Sequence, residues 1–274
     1  MPYIKTRDSV DLFVKDWGSG RPVILLHGWP LNADSWDDQA LALAEAGYRA
    51  IAYDRRGFGR SGQPFSGYDY DTLADDLAAV IEATGAEDAA LFGFSMGGGE
   101  VARYMSRHGG KGISQAGLIA SVVPYLKKDA SNPDGADPAM FDQIKDQLRK
   151  DRPHFLAGFL QDFYGVGYIS SPVSQEVLDQ SLGWALQAAL PATIKCVDAW
   201  SSTDFRPDLP AFTVPTLIVH GTSDKTVPID ISARKAAEGI ADAELVEYSG
   251  APHGLTATEK DRLSQDMIDF LSRR

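Results

Sequence analysis

A serine, an aspartate and a histidine, in that chain order, are the residues from which chemistry could be built. Gly93-Phe94-Ser95-Met96-Gly97 matches G-x-S-x-G. That motif is useful only on a sharp strand-to-helix turn, where the glycines let the backbone pass and the serine projects at the strand's C-terminal edge. An apolar strand over 89–92 precedes it, and a helix over 96–108 follows, stopped by Gly109-Gly110. A serine hydroxyl is a weak nucleophile until a histidine takes its proton, and that histidine must be oriented by a buried acid.

Five histidines compete for the role. His108 ends a helix, where a cation favours the dipole. His154 falls in a helical block. His27 and His220 both end apolar strands just before a glycine, where they bear on stability or positioning. His253 stands in the loop over 249–254, between the last strand and the last helix, at the edge that also carries Ser95. The order Ser…Asp…His puts the histidine last, which makes His253 the base. Asp224 follows the strand ending at His220 and is the acid. The preceding strand ends in Ser121-Val122-Val123-Pro124, without a carboxylate, and Asp230 reads as a helix N-terminal acid. An oxyanion needs two backbone N–H groups. Met96 supplies one, and the other belongs to the loop His27-Gly28-Trp29-Pro30, where Pro30 has no N–H and Trp29 is the choice.

The elements that must position these residues follow from hydrophobic pattern. A β-rich run over 10–17, closed by Gly18-Ser19-Gly20, reads as a hairpin. Val23-Ile24-Leu25-Leu26 is a continuous apolar run, the mark of a strand buried on both faces. A helix over 37–46, a strand over 49–53, a helix over 72–84 and a strand over 116–123 continue an alternation that implies a parallel sheet covered by helices. From 126 to 212 the strand signal stops. Phe141, Ile144 and Leu148 share one helical face, and Phe155, Phe159 and Phe163 another. Ser174 reads as an N-cap, and Pro191 suits the first turn of a further helix. Strands over 215–220 and 244–248 and a final helix bearing Leu263, Met267 and Leu271 complete the pattern. The expected fold is α/β: a core over 1–125 and 213–274, and a helical cap over 126–212.

Gly57-Phe58-Gly59-Arg60-Ser61-Gly62 matches the dinucleotide fingerprint G-x-G-x-x-G. That fingerprint must open a helix, and Gln63-Pro64-Phe65-Ser66-Gly67 cannot continue one. Nicotinamide binding is therefore rejected, and Asp54-Arg55-Arg56-Gly57 reads as a turn bracing the oxyanion loop. The aromatic stripe Phe155, Phe159 and Phe163, together with Trp200, is core first and substrate pocket second.

Composition narrows the function classes. The chain has 274 residues, with 44% hydrophobic and 23% charged, ordinary values for a globular protein. Its net charge of -12 repels phosphate backbones and anionic lipid, so neither nucleic acid nor a membrane is expected as partner. Cys196 is the single cysteine; it leaves no intrachain disulfide or cysteine-based zinc site and reads as a small buried hydrophobe. With no signal-peptide pattern at Met1-Pro2-Tyr3-Ile4-Lys5, the expected location is cytoplasmic.

His27-Gly28-Trp29-Pro30, Asp54–Ser61, the run GFSMGGGEVAR over 93–103, Asp204-Phe205-Arg206-Pro207-Asp208 and Ala251-Pro252-His253-Gly254 resemble the cofactor-free (non-haem) bacterial haloperoxidase and arylesterase group of the α/β hydrolases. The likeness runs along nearly the whole chain. It implies ester hydrolysis without metal or cofactor, peracid formation from a carboxylic acid and peroxide, and a pocket to which Thr226 and Ile229 contribute. In members of that group with peracid-forming activity, proline stands where Pro30 does. The expected function is hydrolysis of carboxylic esters through an acyl-enzyme on Ser95, with perhydrolase side activity. The rivals are a lactonase or amidase on the same triad, and a slow-turnover small-molecule receptor. The physiological substrate is not legible, and oligomeric state is open, a homo-oligomer included.

Overall fold

Every residue of β3 (Pro22–Leu26) is buried, as a strand with neighbours and helices on all sides must be. The computed structural model describes residues 2–167 and 171–273. Its eight-stranded sheet has the order β1-β2-β4-β3-β5-β6-β7-β8, with β1 (Tyr3–Lys5), β2 (Asp11–Gly18), β4 (Arg49–Tyr53), β5 (Ala89–Phe94), β6 (Ile113–Ile119), β7 (Thr216–Gly221) and β8 (Ala243–Tyr248). The pairings β1–β2 and β2–β4 are antiparallel and the rest are parallel.

One expectation needs correcting. The hairpin is not closed by Gly18-Ser19-Gly20: β2 pairs with β1 before it, and β4 lies between β2 and β3. Strand β2 is buried only at Leu12 and Val14, which suits the thinner end of the sheet. The fully apolar β3 takes β4 and β5 as its two neighbours.

Helices cover both faces. On one side α2 (Tyr70–Thr84) and α3 (Met96–Arg107) pack together, capped at the start of α2 by Asp69 and ended by Gly85 at φ 61°. On the other, α1 (Asp37–Glu45) packs against α9 (Lys260–Ser272), which buries Leu263, Met267 and Leu271. Between β6 and β7 run α4 (Pro138–Phe163), α5 (Gln175–Gln187) and α6 (Leu190–Ser202). Ser174 caps α5, and Pro191 sits in the first turn of α6. Helix α4 is broken at Asp151, whose carboxylate accepts from the His154 backbone N–H at 3.1 Å. Pro153 thereby falls in a first turn, where its missing N–H costs nothing. The shorter α7 (Ala233–Gly239) and α8 (Leu255–Thr258) flank β8. Strand β6 stops earlier than its apolar run suggests. Ala120 takes φ 44°, which turns Ser121–Pro124 out of the sheet.

Candidate active site

The turn that carries Ser95 is built by close approach. Ser95 sits between β5 and α3 at φ 53°, ψ -115°, a conformation that L-residues hold only when the surroundings enforce it. A Cβ on Gly93 would lie 2.4 Å from the Gly97 carbonyl oxygen, and one on Gly97 would lie 2.4 Å from that of Leu26. Both motif glycines are therefore required by packing. Ser95 donates its backbone N–H to Ile119 at 2.8 Å, which ties the turn to β6.

Ser95 Oγ is 2.9 Å from His253 Nε2, and His253 Nδ1 is 2.6 Å from Asp224 Oδ2. All three residues are buried. The Asp224 Oδ1 accepts the backbone N–H of Thr226 at 2.9 Å and of Val227 at 2.8 Å. Burial works against the Asp224 charge, but the field of His253 and the hydrogen bonds from His220 and His253 outweigh it. They hold the carboxyl well below the usual carboxylate range. The His253 ring packs between Phe94 and Phe163, with centroids at 5.4 and 4.8 Å. Gly254 donates its N–H to the Phe163 carbonyl at 2.9 Å, so the end of α4 fixes the histidine loop.

The loop after β3 is held from below. His27 Nε2 accepts the Arg55 backbone N–H at 3.0 Å, so Nδ1 carries the proton and donates to the Gly28 carbonyl at 2.9 Å. Burial and the Arg55 charge push the His27 pKa well below its ordinary value, which keeps the ring neutral. Arg55 also donates to the His27 carbonyl at 2.6 Å and pairs with the buried Glu100, which accepts from Tyr53 at 2.8 Å. Among the described residues, neither the Trp29 nor the Met96 backbone N–H donates to a protein acceptor. Both residues line the cavity over Ser95. The Trp29–Pro30 peptide bond is cis, and the Trp29 indole is anchored on the Thr193 carbonyl at 3.0 Å.

That cavity measures about 250 Å³. Of the residues expected to face it, Phe159, Trp200 and Thr226 do. Phe155 stacks on Phe159 with centroids 6.1 Å apart but borders a shallower groove with His154 and Gly158. Phe163 is fully buried against His253, and Ile229 is buried in a short 3₁₀ turn, Ile229–Ile231. Neither lines the cavity: for Phe163, helical spacing sets a shared face but not what that face meets, and Ile229, expected from the resemblance alone, turns into the core. Phe141 and Ile144 line it instead, and their common face was visible in the sequence. Val122 and Val227 line it too, and their apolar runs carried no signal for it. Cys196 is fully buried, and burial pushes its thiol up to about 12.

The G-x-G-x-x-G segment closes on itself. Gly57 donates to the Gly62 carbonyl at 2.8 Å, and Asp54 takes the Arg60 backbone N–H at 2.7 Å. The next helix begins only at Tyr70. Among the described residues no three His, Cys, Asp or Glu side chains gather as a metal site requires, and no helix is long and apolar enough to cross a membrane.

A mostly parallel sheet with helices on both faces, and a serine on a strained turn at its C-terminal edge, are the marks of one class of protein. The model of the alpha/beta hydrolase fold family matches residues 21–172 and 174–259, and the chain belongs to that family. Within it, the chain is 42% identical over 275 residues to a non-heme chloroperoxidase (CPO-A1) of Kitasatospora aureofaciens, covering all of both chains. It is also 42% identical over 280 residues to a bifunctional esterase/perhydrolase of Acinetobacter calcoaceticus, covering 99% of each. The crystal structure of a bromoperoxidase from Bacillus anthracis superposes with a TM-score of 0.95 at 42% identity, covering 98% of this chain and 99% of that one.

Proposed function

We propose that this chain hydrolyses carboxylic esters through an acyl-enzyme on Ser95. Ser95 Oγ attacks the ester carbonyl while His253 takes its proton. Asp224 orients the imidazole and stabilises its charged form, and the N–H groups of Trp29 and Met96 hold the oxyanion. His253 returns the proton to the leaving alcohol, and water, activated in turn by His253, releases the acid. Residues 126–212 act as a cap that excludes water from above, and residues 1–125 and 213–274 form the core. The observation that carries this reading is the unbroken chain of contacts from Ser95 through His253 to Asp224, at 2.9 and 2.6 Å, with Ser95 lining a mostly apolar cavity.

Hydrogen peroxide in place of water at the same acyl-Ser95 yields a peracid, which can oxidise halide. The relative named as a bifunctional esterase/perhydrolase and the one named as a non-heme chloroperoxidase support this second outcome. The test is a panel of esters, lactones and amides, plus peracetic acid formation from acetate and peroxide, with Ser95→Ala as blank. Ester turnover in the ordinary range of roughly 1–10³ s⁻¹ that vanishes in the blank is expected. Turnover far below that range on every ester rejects the esterase reading in favour of a receptor. Absence of peracid rejects the perhydrolase part alone. A phosphonate reagent that labels a serine other than Ser95 rejects the mechanism.

A further inference from the structure

His220 is fully buried at the end of β7 and belongs to none of the steps above. Its Nε2 lies 2.8 Å from the Val227 carbonyl oxygen and 3.1 Å from Asp224 Oδ2. Its Nδ1 is buried and, among the described residues, has no hydrogen-bond partner. These contacts define the tautomer. A nitrogen placed between two acceptors carries the proton, and a nitrogen facing none is the bare one. The ring therefore donates from Nε2.

A carboxylate has about four lone-pair sites. Asp224 accepts Thr226 and Val227 on Oδ1 and His253 on Oδ2, and the His220 Nε2–H, which donates to the Val227 carbonyl at 2.8 Å, also faces Oδ2 at 3.1 Å. The oxygen that serves His253 is thus also the one that His220 faces. We propose that His220 is a positioning residue of the triad, whose Nε2–H fixes the Asp224 carboxylate against rotation and moderates its pull on the His253 proton. This rests on the assignment of Ser95, His253 and Asp224 as the triad. With that donor removed, Oδ2 would draw the His253 proton more strongly while being held less firmly.

The other groups around this pair are few. Ser95 faces His253 from the turn after β5, and Phe94 and Phe163, both uncharged, pack on its ring. Lys225 follows Asp224 and lines the cavity, as does Asp162 near the end of α4. Glu247, the β8 residue in register with His220, is held by Arg234 at 2.8 Å.

The test compares His220→Phe, which keeps a ring but no donor, with His220→Gln, whose amide can reach Asp224. In the Phe variant kcat should fall about tenfold, the scale of one hydrogen bond to a charged group, with KM within about twofold of the parent. The acid limb of its kcat/KM profile should move up by about half a pH unit or more, and the Nδ1 proton resonance of His253 should shift. The Gln variant should return all three readouts toward parental values. Parental kcat and an unmoved limb in a folded Phe variant would overturn the proposal. So would a Gln variant that melts like the parent but is as impaired as the Phe one. If the Phe variant does not fold, His220→Asn, too short to reach Asp224, takes its place; equal behaviour of Asn and Gln then counts against the idea. If Ser95 proves not to be the nucleophile, the His253 resonance still decides, since it depends on the Asp224 contact alone.

Discussion

The dipeptide His-Gly marks the ends of two strands of this sheet, His27-Gly28 just after β3 and His220-Gly221 as the last two residues of β7, and the two histidines have opposite hydrogen-bond polarity. His27 accepts at Nε2 from the Arg55 backbone and donates at Nδ1 to Gly28. His220 has its Nε2 against a carbonyl and a carboxylate and leaves Nδ1 bare. Beside His27 stands a cation, Arg55, and beside His220 an anion, Asp224. The same two residues on the same edge of one sheet thus meet Arg55 under the loop after β3 in one place and Asp224 in the other. A buried histidine's role is set by the charge it meets.

The largest effect anchors this comparison. Ser95→Ala should cut kcat by roughly 10³-fold or more with the fold intact, checked by steady-state kinetics beside a thermal melt. A folded variant that keeps a tenth of its activity would remove the site to which both histidines are referred. Asp224→Asn, which replaces the anion beside His220, should cost about as much.

On the His27 side the corresponding charge is Arg55. Arg55→Met should leave Glu100 buried without its cation and cost about 3–5 kcal/mol of stability. Pairing it with Glu100→Gln should recover part of that loss in urea unfolding. If the double variant is no more stable than the single one, the Arg55–Glu100 pair is not what holds this strand end.

His27→Ala is the direct counterpart of the His220 variants. It should lower stability by about 1–3 kcal/mol and leave the acid limb of the activity profile where it was. A limb that moves as in His220→Phe would erase the distinction between the two histidines. The anion itself can be read from pH. Because the Asp224 pKa is depressed in the folded protein, its contribution is complete above the ordinary aspartate value of 3.8 and is lost as pH falls below it. Parent and Asp224→Asn should differ in unfolding free energy less and less as pH drops through that range, and a constant difference would contradict the assignment.

The smallest effect belongs to Pro30, next to Trp29. Proline restricts its own φ and the residue before it, so Pro30→Leu should relax the Trp29 backbone around the acyl-enzyme. Perhydrolysis should fall and ester hydrolysis should change little. Equal change in both reactions would reduce Pro30 to a turn residue.

How much of this was legible beforehand depended on range. Ser95 could be read because a nucleophile turn demands glycines at fixed offsets and an apolar strand just ahead of it. Chain order and strand ends single out His253 and Asp224 as candidates from five histidines and 38 acidic residues, and the fold brings both into line with Ser95. Caps and breaks were local too: Ser174 and Pro191 mark helix starts because an orphan N–H or a missing one is a property of neighbours in the chain. The partners of β2 are not legible locally, because strand partners are chosen across the sheet.

Tertiary structure decided which face of each element meets which neighbour. Phe159 and Phe163, four residues apart on one helix, part company: one lines the cavity and the other seals His253. Phe141 and Ile144 reach the cavity from a stretch of α4 that the break at Asp151 sets off from Phe159. The fate of His220 was likewise undecided by its sequence neighbours, since a tautomer depends on acceptors brought up by other parts of the chain. Residue type and spacing determine what a side chain can do and which way the local backbone runs. Only packing determines what it is set against, because burial and hydrogen-bond partners are properties of the assembled fold.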